Sequence, residues 1–214
     1  MMTRRAPRHS GRTVSRRGVT LIEFVLAIGI TGMIASATAA MLVGVARSTE
    51  FERGRRESII RAQALGVRVS GYVTPSLYLL DVGPNSLVTW LSDTRSSGTV
   101  HATETRWISV DGGGTLTVQF VSFPESMTQT ERDLYDLEYP AASDWWVVLK
   151  TYQELGFTDS IRLADGIADL KFQRGQGPEL AKKLVTTTVT FAEDKGAQTF
   201  VTSASIREWQ EPTL

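Results

Sequence analysis

GVTLIEFVLAIGITGMIASATAAMLVGVA, residues 18–46, decides how the whole chain is read. From Val19 to Ala46 it runs 28 residues with one charge, Glu23. As a helix rising 1.5 Å per residue it measures roughly 42 Å, and the uncharged part after Glu23 roughly 34 Å. A bilayer's hydrocarbon core is about 30 Å thick, so the run predicts a membrane-spanning helix. Membrane helices avoid charge, so a glutamate near the start of one needs a reason.

Working outward, residues 1–18 hold six arginines (Arg4, Arg5, Arg8, Arg12, Arg16, Arg17) and no acid. The chain of 214 residues has 23 basic and 23 acidic groups; without the leader, 17 basic face 23 acidic, about −6 net. The basic charge is local, and nothing in the remainder predicts a nucleic-acid surface. Arginines before the apolar run and a near-neutral stretch after it place the N-terminus in the cytoplasm. There is no cysteine, which excludes disulfides and thiolate metal sites. The length allows one domain with a core plus an appendage.

Conventional export is one reading of this segment. Ser15-Arg16-Arg17 is like a twin-arginine opening, and ASATAA (Ala35 to Ala40) offers small residues to a signal peptidase. Against it, the apolar run exceeds the usual 7–15 residues and contains a glutamate. A plain single-pass anchor with a chance glutamate is another alternative. The third reading rests on Gly18 followed by VTLIEFVLAIGI, which resembles the N-terminal signal of type IV prepilins and type II secretion pseudopilins. That resemblance makes Gly18 the residue before a prepilin-peptidase cut, Val19 the first mature and N-methylated residue, and Glu23 the fifth. Val19 departs mildly from the family pattern, where Phe or Met is more usual.

The glutamate then has a physical account. A carboxylate in the first turn favours the positive end of the helix. Thr20 and Glu23 have the T-x-x-E spacing of a capping box, which would satisfy orphan amides at the helix start. The resemblance adds that this carboxylate meets the N-terminal amine of a neighbouring subunit. At an effective dielectric near 20, such a pair 4 Å apart gains about 4 kcal/mol before desolvation. Because an unpaired charge in an apolar bundle is costly, the pair would set axial register more than affinity. Gly29, Gly32 and Gly44 lie in the same run, where small residues permit close helix contacts.

After Ala46 the pattern becomes amphipathic. Ile59, Ile60, Ala62, Leu65 and Val69 recur at three- and four-residue steps, predicting continuation of the helix over 47–71 with a stop near Ser70-Gly71 or at Pro75. Gly54 interrupts this half. From there to residue 214 the signals are mostly β: LVTWLS, TRWISV, TLTVQFVSF, DWWVVLKTY (Asp144 to Tyr152), IADLKFQ, LVTTTVTFAE and QTFVTSASIRE. DGGG (Asp111 to Gly114) predicts a hairpin turn, EDKG (Glu193 to Gly196) another, and ERDLYDLEYPAAS an acidic loop or helical turn. Val185, Thr187, Val189 and Phe191 would share one face, as would Phe200, Thr202, Ala204 and Ile206. The fold expected is α+β, a long N-terminal helix on an antiparallel sheet, which is also the pilin-like architecture. The order of the last three strands loosely resembles J-type minor pseudopilins and W-type minor pilins.

Catalysis finds little support, and no cofactor or metal is expected. His101 near Glu104 suggests acid–base work, but a lone histidine in a surface loop is the plainer expectation. Asp133, Asp136 and Glu138 could collect calcium, yet they lack the spacing of a known loop, and solvated charge is the plainer reading. DGGGT has no lysine and no following helix, so it is not a phosphate loop. Trp145-Trp146 reads as core plus rim, with an exposed tryptophan a candidate subunit contact.

The expected protein is therefore a non-enzymatic minor pseudopilin or minor pilin. Residues 1–18 are a cleaved leader, 19–46 the transmembrane and assembly helix, 47–71 its continuation and 72–214 a periplasmic head. The partners this implies are sibling subunits, through the helix bundle and the heads, with the prepilin peptidase, the inner-membrane assembly platform and the membrane itself.

Overall fold

The computed structural model describes residues 18–191 and 197–213. The basic leader up to Arg17 and the EDKG turn lie outside them. The chain divides into two compact units, Met1–Glu50 and Phe51–Leu214.

A single helix, α1 (Leu21–Val73), passes through both. It ends between the two stop signals, ahead of Pro75. In the first unit every described residue is exposed, including Ile22, Phe24, Leu26, Ile30, Ile34 and Leu42. The helix there is apolar all round, so no one face can be turned to a core.

In the second unit α1 behaves differently. Ser58, Ala62, Leu65, Val69 and Val73 are its buried residues, spaced 4, 3, 4 and 4 apart, which makes a single stripe. Around it follow β1 (Tyr78–Val82), β2 (Ser86–Trp90), β3 (Val100–His101), a 3₁₀ turn (Ala102–Glu104), β4 (Thr105–Val110) and β5 (Leu116–Val121). Next come α2 (Gln129–Tyr135), β6 (Glu138–Tyr139), α3 (Trp145–Glu154), β7 (Thr158–Ala164), β8 (Ile167–Arg174), α4 (Pro178–Lys183), β9 (Leu184–Phe191) and β10 (Gln198–Ser205). Among the described residues they form a five-stranded sheet, β1-β2-β4-β5-β7, a three-stranded sheet, β10-β9-β8, and the short pair β3-β6. All pairings are antiparallel. The α+β architecture with a long helix on antiparallel sheet is thus met.

The five-stranded sheet is buried on both faces. Leu79, Leu87, Ile108, Leu116 and Val118 join the α1 stripe and the three-stranded sheet in one core. Leu80, Val88, Trp90, Trp107 and Val121 form a second core with α3. The residues that make the second core possible are those expected to be a strand. DWWVVLKTY is instead the start of α3: Asp144 Oδ1 accepts from Trp146 N at 3.1 Å and Val147 N at 3.2 Å, capping the helix. Its β-branched and aromatic composition suggests strand, but Trp145, Val148, Leu149 and Tyr152 are buried at i, i+3, i+4, i+7, a helical stripe. Packing against the sheet outweighs propensity. Trp145 is core, while Trp146 is half-buried and donates from Nε1 to Asp81 Oδ2 at 3.1 Å. The acidic loop between β5 and α3 holds the short helix α2.

The DGGG hairpin lies where expected, between β4 and β5. Asp111 Oδ1 accepts from Gly113 N at 2.9 Å and Thr115 N at 2.8 Å. Gly114 ties the hairpin to β8: its φ is +75°, its carbonyl accepts from Ile167 N at 3.0 Å, and a Cβ there would stand 2.4 Å from Ile167 O. Left-handed backbone costs a non-glycine residue roughly 1–2 kcal/mol, before the clash is counted. Gly114→Ala is therefore expected to lower stability by at least about 2 kcal/mol in urea unfolding. Gly112→Ala, at an open position, serves as the control; equal midpoints for the two variants would refute this account.

Candidate functional site

The residues singled out from sequence meet at the start of α1. Gly18, Val19 and Thr20 precede the helix. Thr20 N donates to Glu23 Oε2 at 2.9 Å, Thr20 Oγ1 donates to the same oxygen at 3.0 Å, and Glu23 N donates to Thr20 Oγ1 at 3.3 Å. The first main-chain bond of the helix, Phe24 N to Thr20 O, is 3.1 Å. This is the reciprocal capping box that the T-x-x-E spacing predicts. Glu23 Oε1 has no hydrogen bond among the described residues, so one carboxylate oxygen remains open to a partner.

No described residue covers this end. Val19, Leu21 and Ile22 are each about three-quarters exposed or more. The 18-residue apolar window of α1 has a mean hydropathy of 2.0, and none of it is buried. A core helix of a soluble protein is equally apolar but covered by its own chain; this one is long and apolar enough to cross a membrane and uncovered. A signal sequence near an N-terminus has the same properties. At Gly29, Gly32 and Gly44 no described atom beyond the helix's own backbone and the flanking residues lies within 4 Å of where a Cβ would stand, so no described packing requires them to be small.

The second unit corrects the expectation for His101. It is not in a surface loop but in β3, 4 % exposed, with Nδ1 3.1 Å from Asp136 O and Nε2 3.4 Å from Glu138 Oε1. Glu104 is buried beside it and accepts four hydrogen bonds: Trp90 Nε1 at 3.0 Å, His101 N at 3.3 Å, and Thr94 N and Oγ1 at 2.6 and 2.7 Å. A carboxylate that accepts four hydrogen bonds in this way holds a loop together. His101 and Glu104 are close in sequence, but the tertiary fold makes Glu104 the anchor between β2, the Thr94 loop and the 3₁₀ turn.

The three acids considered for calcium do not converge. Arg95 donates to Asp133 Oδ1 and Asp136 Oδ2, both at 2.9 Å. Asp136 also accepts from Thr103 N at 3.1 Å and Oγ1 at 2.8 Å, while Glu138 faces His101. A guanidinium already fills the position between the two aspartates that a cation would need. No group of three His, Cys, Asp or Glu side chains comes together as metal ligands among the described residues. Arg95 is the member that sequence reasoning missed, since its partners lie 38 and 41 residues away. Next to this network, the Tyr152 hydroxyl donates to Tyr135 O at 2.6 Å. Burial, with the neighbouring Tyr139, raises its pKa above the usual tyrosine value, so the neutral phenol is held in the fold.

No protein-family model, no curated protein and no solved structure matches this chain.

Proposed function

We propose that the chain is a pilin-type structural subunit, a minor pseudopilin or minor pilin. It is cut between Gly18 and Val19 and held in the inner membrane by Val19–Ala46. The observation that carries this reading is a helix apolar on every side, with no cover from the described residues, whose start is closed by Thr20 and Glu23. Such a helix is at rest only among lipid tails or other apolar helices.

In this reading lipid surrounds the helix before assembly and sibling helices surround it afterwards. Glu23 already uses Oε2 for its own cap, which leaves Oε1 to meet the amine that cleavage creates on a neighbouring Val19. The head lies on the periplasmic side, and the chain works by assembly, without catalysis, at the tip or in the priming complex of a secretion pseudopilus or a pilus.

The test is intact mass with N-terminal sequencing of the protein from native membranes. A chain beginning at Val19 and heavier by one methyl group is the expected result. A soluble chain beginning near Ala37–Met41 would make the helix an ordinary signal, and an uncut Met1 or Met2 would make it a plain anchor; either result overturns the proposal. With processing established, Glu23→Ala is expected to leave Val19 as the first residue while abolishing incorporation into filaments.

A further inference from the structure

The two larger sheets of the second unit end in four edge strands, and three of them are defended against further pairing. In β1 the ladder is broken between Leu79 and Asp81, and Arg174 reaches the Leu79 carbonyl at 3.4 Å. In β7 the register shifts opposite Leu116/Thr117, and the strand carries Asp159 and Arg162. In β8 it shifts between Ile167 and Asp169, the strand carries Asp169, Lys171 and Arg174, and Phe172 N already donates to Pro84 O at 2.9 Å. Bulges and charges are the usual means of keeping an edge from recruiting another chain.

The fourth edge, β10, has none of them. QTFVTSAS contains no charge and no proline, and its eight residue pairs with β9 run without a shift. The side chains Thr186 and Ser203, and Thr190 and Thr199, are 3.1 and 3.0 Å apart, as in closely spaced pairs whose main chains do not bond each other. Ile206 N donates to Lys183 O at 2.8 Å, in the same alternation. The amides and carbonyls of Thr199, Val201, Ser203 and Ser205 therefore point away from β9, and no described residue takes them up.

A groove of about 710 Å³ runs along this edge. Its walls are Ile59, Gln63, Gly66 and Val67 of α1 and Phe200 and Val201 of β10, and no charged residue lines it. Gly66 marks the closest approach: a Cβ there would stand 3.0 Å from Thr202 Oγ1. Of the wall residues, Val67 is 73 % and Val201 67 % exposed. Unpaired main chain and an apolar wall thus lie side by side, the two halves of a strand-addition site.

We infer that β10 and this α1 wall accept an extended, uncharged segment of a partner protein, which adds a fourth strand to the β8-β9-β10 sheet and places alternate apolar side chains in the groove. The absence of charge from edge and groove sets the chemistry of the occupant, because a buried unpaired charge there would be costly. A second copy fits less well. Pairing through its own β10, it would bring its own α1 to the same face of the joined sheet, into the space the groove occupies. This site belongs to the second unit and stands whether or not the chain assembles into a filament.

The test uses the full chain in detergent micelles and a capped peptide, LVTTTVTF, the sequence of β9, which already pairs with β10 on its other side. At about 1 mM peptide, amide exchange of Val201 and Ser203 is expected to slow by at least about tenfold, with the β1, β7 and β8 edges unchanged. Val201→Lys puts a charge on the edge at an exposed position, and Ser203→Pro removes one outward donor; each is expected to abolish most of the protection. The inference fails if the peptide protects nothing, or if both variants are protected like the parent. It also fails if β10 becomes protected with rising protein concentration and no peptide, since the occupant would then be a second copy.

Discussion

Glu104→Ala is expected to destabilise the second unit by roughly 3–5 kcal/mol. The carboxylate is 2 % exposed and is the acceptor for Trp90 Nε1, His101 N and both Thr94 donors. Removing it strands these donors in the interior, and each unsatisfied buried group costs about 1–3 kcal/mol. Solvent entering the cavity recovers part of the cost, which is why the total stays below the sum of four such terms. For a protein of this size the loss corresponds to a fall in Tm of roughly 6–20 °C. Glu104→Gln keeps the volume and one acceptor oxygen but turns an N–H group toward other donors, so its loss should fall between. A thermal melt followed by tryptophan fluorescence, with all five tryptophans in the second unit, reads the effect. A change below about 1 kcal/mol for the alanine variant would mean that water can replace the carboxylate and that the network is ornamental.

The second large effect lies in the first unit. The paired substitution Ile30→Asp with Ile34→Asp puts two carboxylates one turn apart at exposed positions in the middle of the apolar run. Near the centre of a membrane helix, exchanging isoleucine for aspartate costs about 3–4 kcal/mol, so two cost roughly 6–8 kcal/mol. The variant should pass from the membrane pellet to the alkaline supernatant. Its head should melt at the parental temperature, because the core stripe begins only at Ser58. Undiminished membrane association would show that lipid does not surround this part of α1. A lowered melting point would show instead that the apolar half supports the head.

The legible features were of one kind. Thr20 and Glu23 are three residues apart, and the capping box they form needs only the geometry of a helix start. The apolar run and the α1 stripe are periodic patterns, as is the alternation of Val185, Thr187, Val189 and Phe191, all buried on one face of β9. The DGGG turn follows from backbone freedom at neighbouring residues. Where local signals conflicted, reading failed: WWVV has strand composition and helical spacing, and only the hydrophobic face of β2 and β4 waiting beside it decides for the helix. His101 is met from 35 residues or more down the chain, by Asp136 and Glu138, which no local pattern reveals.

By itself, then, the sequence determined the apolar helix, its capped start, the α+β class and the position of most strands, because each depends on interactions within about one turn or one hairpin. Tertiary structure alone decided that α3 is a helix, that Glu104 is an anchor and that Arg95 stands between two aspartates. It also left β10 as the undefended edge of the two larger sheets. These depend on which distant segments share a core, and burial, charge pairing and edge exposure are properties of that arrangement and not of any stretch of chain read alone.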